Sequence, residues 1–237
     1  MDQFVRMLKK SILFSDLTEE SIKNEILPRG LFREVPKAHY LINYQQRCDT
    51  FGIVVRGKLK IMHIYENGHY GVMGILEPSD LFGVDLISTK SRISPYYAVA
   101  MQQTQVLSFP AEMVMKRGTL PEEVRQNVIQ KVLSFVADEN MRKEYRLAIL
   151  FQKGIRDRVM TYLTMQASKR RSATFSVPFT REEMASYLCV NRSCLSHELS
   201  TMEQEGIIKF NRNTFTLLNW GKSKEYHYGS YLCKTVV

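Results

Sequence analysis

Five polar side chains between positions 192 and 200 have the types and spacing needed to hydrogen-bond along the edges of base pairs. They are Arg192, Ser193, Ser196, His197 and Ser200. Leu195, Leu199 and Met202 recur at intervals of four and three, which predicts that they anchor the opposite side of one helix to a core. The polar set then projects outward. Such side chains, most of them short, suit a helix lying in a major groove, where base edges offer donors and acceptors.

A pattern of two helices and a hairpin surrounds this polar set. Thr180 to Glu183 has the spacing of a capping box and predicts a short helix over 182–188. Asn191 is a good N-cap for a second helix over 192–205, which carries the polar set. Strand-like runs on both sides of Asn211 to Asn213 predict a β-hairpin. Together these elements predict a winged helix-turn-helix.

Further residues of this segment are predicted to contact the phosphate backbone of DNA. Thr180 and Arg181 begin the first helix, where a backbone amide and a cation could hold a phosphate. Lys209 and Arg212 lie on the hairpin and could reach the flanking backbone. A packing module for protein contacts, with a solvated polar face, is the alternative. The predicted DNA-binding residues are Thr180, Arg181, Asn191, Arg192, Ser193, Ser196, His197, Ser200, Lys209 and Arg212.

Charge is unevenly distributed along the 237 residues. The formal net charge at pH 7 is +9, and residues 152–237 hold two thirds of this excess. A basic segment joined to a nearly neutral one predicts that one end of the chain meets a polyanion. The longest apolar run is far shorter than the about 20 residues of a membrane-spanning helix, and the N-terminus has no apolar signal core. We expect a cytoplasmic protein without membrane contact.

Residues 31–110 have the composition of β-strands. Short runs rich in β-branched and aromatic residues alternate with turn signals such as Asn67-Gly68. Many short strands at this spacing predict a sandwich or a barrel.

Residues 121–151 contain no glycine and no internal proline, which predicts a long helix. Val124, Val128, Val132 and Phe135 form an apolar stripe along it. A helix of about 30 residues is about 45 Å long. Because it exceeds what a domain of about 120 residues covers, part of the stripe is predicted to meet a second copy of the chain. A helix packed wholly within one chain is the alternative.

Several stretches carry a more specific signal together than each does alone. They are Phe51 to Leu59, Glu66 to Gly68, Ser79 to Gly83, Thr180 to Ala185 and Asn191 to Ser196. In order and spacing they resemble motifs of the Crp/Fnr superfamily of bacterial transcription regulators, over nearly all of the chain. The resemblance implies a β-roll sensor, a long dimerisation helix, and a winged helix that binds a palindromic operator as a homodimer.

The resemblance also implies differences in what is recognised. His197 stands where many members have an Arg that contacts a guanine, and a neutral His makes one hydrogen bond instead of a bidentate pair. Members that bind cyclic AMP place a Glu directly after the glycine matching Gly83, whereas this chain has Val84. Their Arg-Ser pair, which clamps the cyclic phosphate, is matched here by residues within Ile93 to Tyr96.

An anionic phosphate buried without a cation or enough amide donors is costly. We therefore expect that the effector is not cyclic AMP. The candidate effector-pocket residues are Gly83, Val84, Asp85, Tyr96, Tyr97 and Met101. The last three would make the pocket apolar and could equally be ordinary strand core.

Cys189, Cys194 and His197 have a spacing that is faintly metal-like. A residue at the position of Cys189 need only be small, and Cys194 lies at the DNA end of its helix, where a redox-sensitive thiol is an alternative hypothesis. No cysteine precedes Cys48, so the iron–sulfur ligation of the oxygen-sensing members is not available in its usual form. We predict no metal site and no cofactor.

The sequence shows no Gly-rich phosphate loop and no paired carboxylates in a recognisable site, so we predict that the protein is not an enzyme. Cys194 with His197 is the one conceivable nucleophile–base pair, and it lies on the DNA-facing helix. The effector and the role of the aromatic tail containing Tyr226, Tyr228 and Tyr231 are not identified by the sequence.

The predicted fold class is α+β with three parts. Residues 1–120 form a β-roll of the cyclic-nucleotide-binding jelly-roll type, 121–151 a dimerisation helix and 152–237 a winged helix-turn-helix. The predicted function is that of a homodimeric DNA-binding transcription regulator of the Crp/Fnr type, whose partners are double-stranded DNA, a second copy of the chain and RNA polymerase. We expect an activator, although the sequence does not distinguish activation from repression. A sensor or adaptor whose basic C-terminal domain binds RNA or protein is the alternative.

Overall fold

A computed structural model describes residues 2–66 and 70–220. The chain divides into two compact units, with the boundary between Glu139 and Asn140. This boundary lies inside one long helix. The predicted division at 1–120, 121–151 and 152–237 stays a prediction. The turn at Asn67-Gly68 and the tyrosines of the C-terminal tail lie outside the described residues.

Eight α-helices and eleven strands are present in the described ranges. The helices are α1 (Asp2–Lys10), α2 (Glu19–Ser21), α3 (Val84–Ile87), α4 (Glu112–Met115), α5 (Glu122–Leu150), α6 (Ile155–Arg170), α7 (Arg181–Tyr187) and α8 (Arg192–Gln204). A π-helical and a 3-10 turn follow α2 at Ile22–Ile26 and Leu27–Arg29. The strands are β1 (Leu31–Val35), β2 (Tyr40–Ile42), β3 (Thr50–Arg56), β4 (Leu59–Ile64), β5 (Tyr70–Leu76), β6 (Leu81–Phe82), β7 (Tyr97–Ala100), β8 (Thr104–Pro110), β9 (Thr174–Ser176), β10 (Ile208–Asn211) and β11 (Thr214–Leu217).

The N-terminal unit contains two antiparallel four-stranded sheets, in the orders β1-β8-β3-β6 and β2-β7-β4-β5. Side chains of a strand alternate between its two faces, and β3 uses both. Val54 joins the core between the sheets, together with Leu59 of the other sheet. Phe51 and Ile53 belong to a second core, which also contains residues of the N-terminal segment and of α5. The predicted β-roll is confirmed.

The apolar stripe of α5 packs inside its own chain. Val128 and Val132 are buried in the second core, and Val124 and Phe135 pack against it half-buried. Part of the stripe was predicted to meet a second copy, and this stays a prediction. For Val128 and Val132 the chain itself supplies the covering residues, because the N-terminal segment, including Phe14, packs into the same core.

The C-terminal unit combines the last part of α5 with three helices and one sheet of order β10-β11-β9. Val159, Leu163 and Ala167, which follow one another at intervals of four along α6, are buried. The short helix predicted over 182–188 is α7, and the helix predicted over 192–205 is α8. The predicted winged helix-turn-helix is therefore confirmed. No helix of the described ranges is long and apolar enough to cross a membrane.

Candidate nucleic-acid interface

The N-terminus of α7 is fixed by a capping box between Thr180 and Glu183. The Thr180 hydroxyl accepts a hydrogen bond from the Glu183 backbone amide at 3.3 Å. In return, the Thr180 backbone amide donates to Glu183 Oε2 at 3.0 Å, and the hydroxyl lies 3.0 Å from the same carboxylate oxygen. Thr180 and Arg181 were predicted to lie where a backbone amide and a cation could hold a phosphate. The Thr180 amide has the Glu183 carboxylate as its partner, and this negative group disfavours a second anion at the same amide.

Helix α8 begins with a side-chain N-cap, and three buried apolar side chains pack it against the core. Asn191 Oδ1 accepts hydrogen bonds from the Ser193 amide at 2.9 Å and the Ser193 hydroxyl at 2.7 Å. Leu195, Leu199 and Met202 are fully buried on one side of the helix. Removing such side chains from water is the main stabilising contribution to the docking of α8.

The opposite side of α8 presents the predicted polar set to solvent. Arg192, Ser193, His197 and Ser200 are exposed, and Ser196 is half-buried. The Ser200 hydroxyl donates to the backbone carbonyl of Ser196 at 3.1 Å, which leaves its oxygen able to accept. The structure therefore brings these five side chains together on one face, as the helical spacing predicts.

Arg156 fixes α8 from α6. Its Nε lies 2.6 Å from Glu198 Oε1, and its two terminal nitrogens lie 2.8 and 3.0 Å from the carboxylate of Glu205. Hydrogen bonds to Glu205 and Glu198 raise the pKa of Arg156. Sequence analysis did not identify this residue. A signal was available, because Arg156 lies in the first turn of α6, where the helix dipole disfavours a cation unless acidic groups compensate.

The hairpin of β10 and β11 is held against the start of α7 by Arg181. Its guanidinium carbon lies 5.1 and 5.7 Å from the ring centroids of Phe210 and Phe215. One terminal nitrogen donates to the backbone carbonyl of Arg212 at 3.1 Å. Partial burial lowers the pKa of Arg181. Arg181, which was predicted to contact phosphate, therefore supports the hairpin of β10 and β11, which is the wing of the winged helix-turn-helix.

The tip of the wing is a tight turn with a cation at its apex. Arg212 has a backbone φ of +53° and is exposed. Asn213 Nδ2 donates to the Val177 carbonyl at 2.9 Å, which ties the turn to the neighbouring segment. Lys209 is also exposed, on β10. The two predicted wing contacts, Lys209 and Arg212, are thus accessible to an external anion, and the turn that carries Arg212 is fixed on two sides.

Among the candidate effector residues of the roll, Asp85 and Tyr96 form a hydrogen-bonded pair, and Gly83 and Val84 directly precede Asp85 in the chain. Gly83 has φ +73°, and a Cβ there would lie 2.6 Å from the Thr50 carbonyl oxygen, so no side chain fits. Val84 is fully buried. The Tyr96 hydroxyl donates to Asp85 Oδ1 at 2.8 Å. Burial, with a smaller contribution from the charge of Asp85, raises the pKa of Tyr96.

Tyr97 and Met101 lie outside this pair. The Tyr97 ring packs at a tilt against the rings of Tyr40 and Tyr44, at centroid distances of 5.2 and 5.8 Å. Met101 follows the far end of β7 from Tyr96. Cys48, which is not among the predicted pocket residues, lies near Asp85 and Tyr96. Burial is the main cause of the raised pKa of its thiol, and the charge of Asp85 contributes.

The cysteines of the helix-turn-helix are exposed thiols. Cys189 occupies the turn with φ +53°, and Cys194 lies in the first turn of α8. Cys189 therefore adopts a left-handed backbone conformation that glycine adopts more readily than other residues. Among the described residues, no group of three metal-binding side chains is close enough to hold an ion.

Two family profiles match the sequence. Residues 32–116 match the family described as a cyclic nucleotide-binding domain, and residues 157–222 match the Crp-like helix-turn-helix domain. The two segments coincide with most of the roll and with the helix-turn-helix and wing described above.

Curated relatives resemble the chain over most of its length. The transcriptional activator protein Anr of Pseudomonas protegens is 24% identical over 199 residues, 81% of this chain and 78% of the relative. The transcriptional activator protein FnrL of Cereibacter sphaeroides is 27% identical over 176 residues, 68% of this chain and 66% of the relative. Among solved structures, FixK2 from Bradyrhizobium japonicum aligns with a TM-score of 0.64 at 18% identity, covering 88% of this chain and 98% of FixK2.

Proposed function

The chain belongs to the Crp/Fnr family of transcription regulators, and from this premise we propose that it binds a palindromic DNA operator as a homodimer through α8 and the wing. The observation that carries the proposal is the two-sided character of α8. Three fully buried side chains fix one side of the helix, and the other side exposes hydrogen-bonding groups of the kind that contact base edges.

The positions of the cations support distinct roles along this surface. Arg192 is exposed at the N-terminus of α8, where the positive end of the helix dipole adds to its charge and favours an external anion. Lys209 and Arg212 extend the basic surface along the wing toward the flanking phosphates. Thr180 and Arg181 act indirectly, by fixing α7 and the wing. Ser196, His197 and Ser200 are proposed to contact bases.

The second copy is proposed to pack on the outer side of α5. Ile129 and Leu133 are exposed there, with Leu133 70% exposed, although they lie on the same helix as the buried Val128 and Val132. A second copy would remove these apolar side chains from water. Sedimentation of Leu133→Glu is expected to show a monomer, while Met115→Glu, an equally polar change at an exposed site on α4, stays dimeric. A dimeric Leu133→Glu protein would contradict this interface.

The effector is proposed not to be cyclic AMP. The Asp85 carboxylate, paired with the Tyr96 hydroxyl, lies two residues after Gly83 and would repel a phosphate bound beside it. We expect no change in the thermal unfolding temperature with cyclic AMP at concentrations up to the millimolar range.

Activation of transcription is proposed because the curated relatives are named transcriptional activators. An activator that contacts RNA polymerase works beside DNA, so we propose a cytoplasmic location.

Selection from random duplex DNA by the purified chain, at moderate salt and without effector, tests the central part of the proposal. We expect enrichment of an inverted repeat with half-sites about 10 bp apart from centre to centre. Salt-sensitive binding without any sequence preference, unchanged when cell extract is added, would contradict the proposal. That result would favour an adaptor that binds RNA or protein.

A further inference from the structure

The turn between α7 and α8 is enclosed by two arginines that the DNA-binding surface does not use. Three consecutive backbone carbonyls, those of Tyr187, Leu188 and Cys189, close the C-terminal end of α7. All three accept hydrogen bonds from guanidinium groups. The turn that follows is tight, because Cys189 adopts a left-handed backbone conformation and the Val190 amide donates back to the Ala185 carbonyl at 3.0 Å.

Arg158 of α6 makes the central contacts. One of its terminal nitrogens lies 3.3 Å from the Leu188 carbonyl and 3.1 Å from the Cys189 carbonyl. Its Nε donates in the other direction, to the Gln152 carbonyl at 2.9 Å. Gln152 lies two residues after the last residue of α5. A single half-buried guanidinium therefore joins the end of the long helix to the turn of the helix-turn-helix.

Arg146 makes a second connection directly from α5. Its guanidinium carbon lies 4.6 Å from the centroid of the Tyr187 ring, and one terminal nitrogen is 3.5 Å from the Tyr187 carbonyl. The Tyr187 ring itself stacks on Phe179 and contacts Tyr162, with centroid distances of 4.9 and 5.5 Å. The contact is therefore anchored in the aromatic core of the unit.

The chemistry of these contacts favours arginine. Cations near the C-terminus of a helix interact favourably with its carbonyls and dipole. The planar guanidinium offers several donors in fixed directions, whereas the lysine ammonium is a point charge on a flexible stem. The Nε of Arg158 and one of its terminal nitrogens already have backbone partners, so the side chain is oriented by the protein rather than available to a phosphate.

We propose that Arg158, with Arg146, is a positioning residue for DNA binding, which fixes the orientation of α8 relative to the end of α5. Any displacement of the end of α5 then reaches the turn before α8 through the guanidinium groups. This inference rests on the proposed function, because positioning of α8 matters only if that helix contacts DNA.

The test compares Arg158→Gln and Arg158→Lys with Arg170→Gln, which removes the same charge from an exposed site near the other end of α6. Affinity is measured for the selected operator and for a random duplex, each over a series of salt concentrations. We expect Arg158→Gln to bind the operator about tenfold more weakly, as for the loss of one charge-assisted hydrogen bond. The affinity of Arg158→Gln for random duplex is expected to equal that of the wild-type chain. The operator affinity of Arg158→Lys is expected to lie between those of the wild-type chain and Arg158→Gln, and Arg170→Gln is expected to keep the wild-type preference for the operator.

The salt dependence distinguishes positioning from direct contact. A positioning residue leaves the slope of log affinity against log salt unchanged, whereas loss of a phosphate contact lowers its magnitude by about one. A lower slope in Arg158→Gln, or equal operator preference in Arg158→Gln and Arg170→Gln, would overturn the inference.

Amide hydrogen exchange of the free protein provides a second test of the role of Arg158, and this test requires no DNA. The amides of Cys189 and Val190 are expected to exchange faster in Arg158→Gln than in Arg170→Gln, because the carbonyls around them lose a common partner. Equal exchange overturns the inference even where no operator has been selected. A wild-type chain that selects no operator contradicts the proposed function, while the exchange result still decides the role of Arg158 in the turn. If Arg158→Gln does not fold, Arg158→Lys provides the same comparison.

Discussion

Replacing Arg181 by alanine separates its two possible tasks, support of the wing and contact with phosphate. The guanidinium lies over Phe210 and Phe215 and donates to the Arg212 carbonyl. A cation–π contact at a partly buried site is worth about 0.5–2 kcal/mol, and a typical hydrogen bond adds about 1 kcal/mol. Because these contributions overlap, Arg181→Ala is expected to lower the free energy of unfolding of the C-terminal unit by about 1–2 kcal/mol.

The fluorescence of Trp220, the single tryptophan of the chain, provides the signal for urea unfolding of this unit. A double-mutant cycle with Phe210→Ala isolates the ring contact, and we expect a coupling energy of about 0.5–1 kcal/mol. In parallel, the salt dependence of operator binding is measured for Arg181→Ala and for Arg192→Ala. The slope is expected to stay unchanged in the first variant and to fall by about one per chain in the second.

One combination of results would refute this reasoning. If Arg181→Ala keeps the wild-type free energy of unfolding within about 0.3 kcal/mol and loses salt dependence to the same extent as Arg192→Ala, Arg181 contacts phosphate. The expectation from the sequence would then be right, and the position of Arg181 over the wing rings would not describe its state on DNA.

Three further predictions concern both units. Leu195→Ala, at a fully buried position, is expected to lower the free energy of unfolding by about 2–5 kcal/mol, measured by Trp220 fluorescence in urea. Hydrogen bonds from Arg47 and Arg92 lower the pKa of Asp49 below its ordinary value of 3.8. Its stabilising contribution is therefore complete above that value and is lost as the pH falls through the lower folded-state pKa. Asp49→Asn should remove this part of the acid sensitivity in thermal unfolding between about pH 5 and pH 2; unchanged acid sensitivity would contradict it. Tyr96→Phe removes a hydrogen bond to a carboxylate, and we expect a loss of about 1–3 kcal/mol in urea unfolding.

The helix-turn-helix could be predicted from sequence because its signals are local. A capping box at Thr180, an N-cap at Asn191 and apolar spacing through Leu195 all operate within a few residues, and each predicts the same two helices. The helical period alone predicts which side of α8 is buried and which side is exposed. The predicted polar face is therefore the observed one.

The contacts that the sequence did not reveal depend on partners distant in sequence. Arg181 meets the Arg212 carbonyl across 31 positions, and the start of a helix is a reasonable phosphate site until that partner is known. Nothing in α5 itself shows that Phe14 and its neighbours pack against Val128 in the same core. Periodicity identifies an apolar side of a helix but not the surface that covers it.

The most direct test of base recognition by α8 is a change of specificity rather than a loss of binding. His197 is exposed on the polar side of the helix, and an arginine there would offer the paired donors that match a guanine. Selection from random duplex DNA by His197→Arg is compared with selection by the wild-type chain. We predict that guanine becomes preferred at one position of each half-site, related by the symmetry of the repeat, with the other positions unchanged. An identical consensus for the two proteins would contradict the account, because His197 would then lie away from the bases.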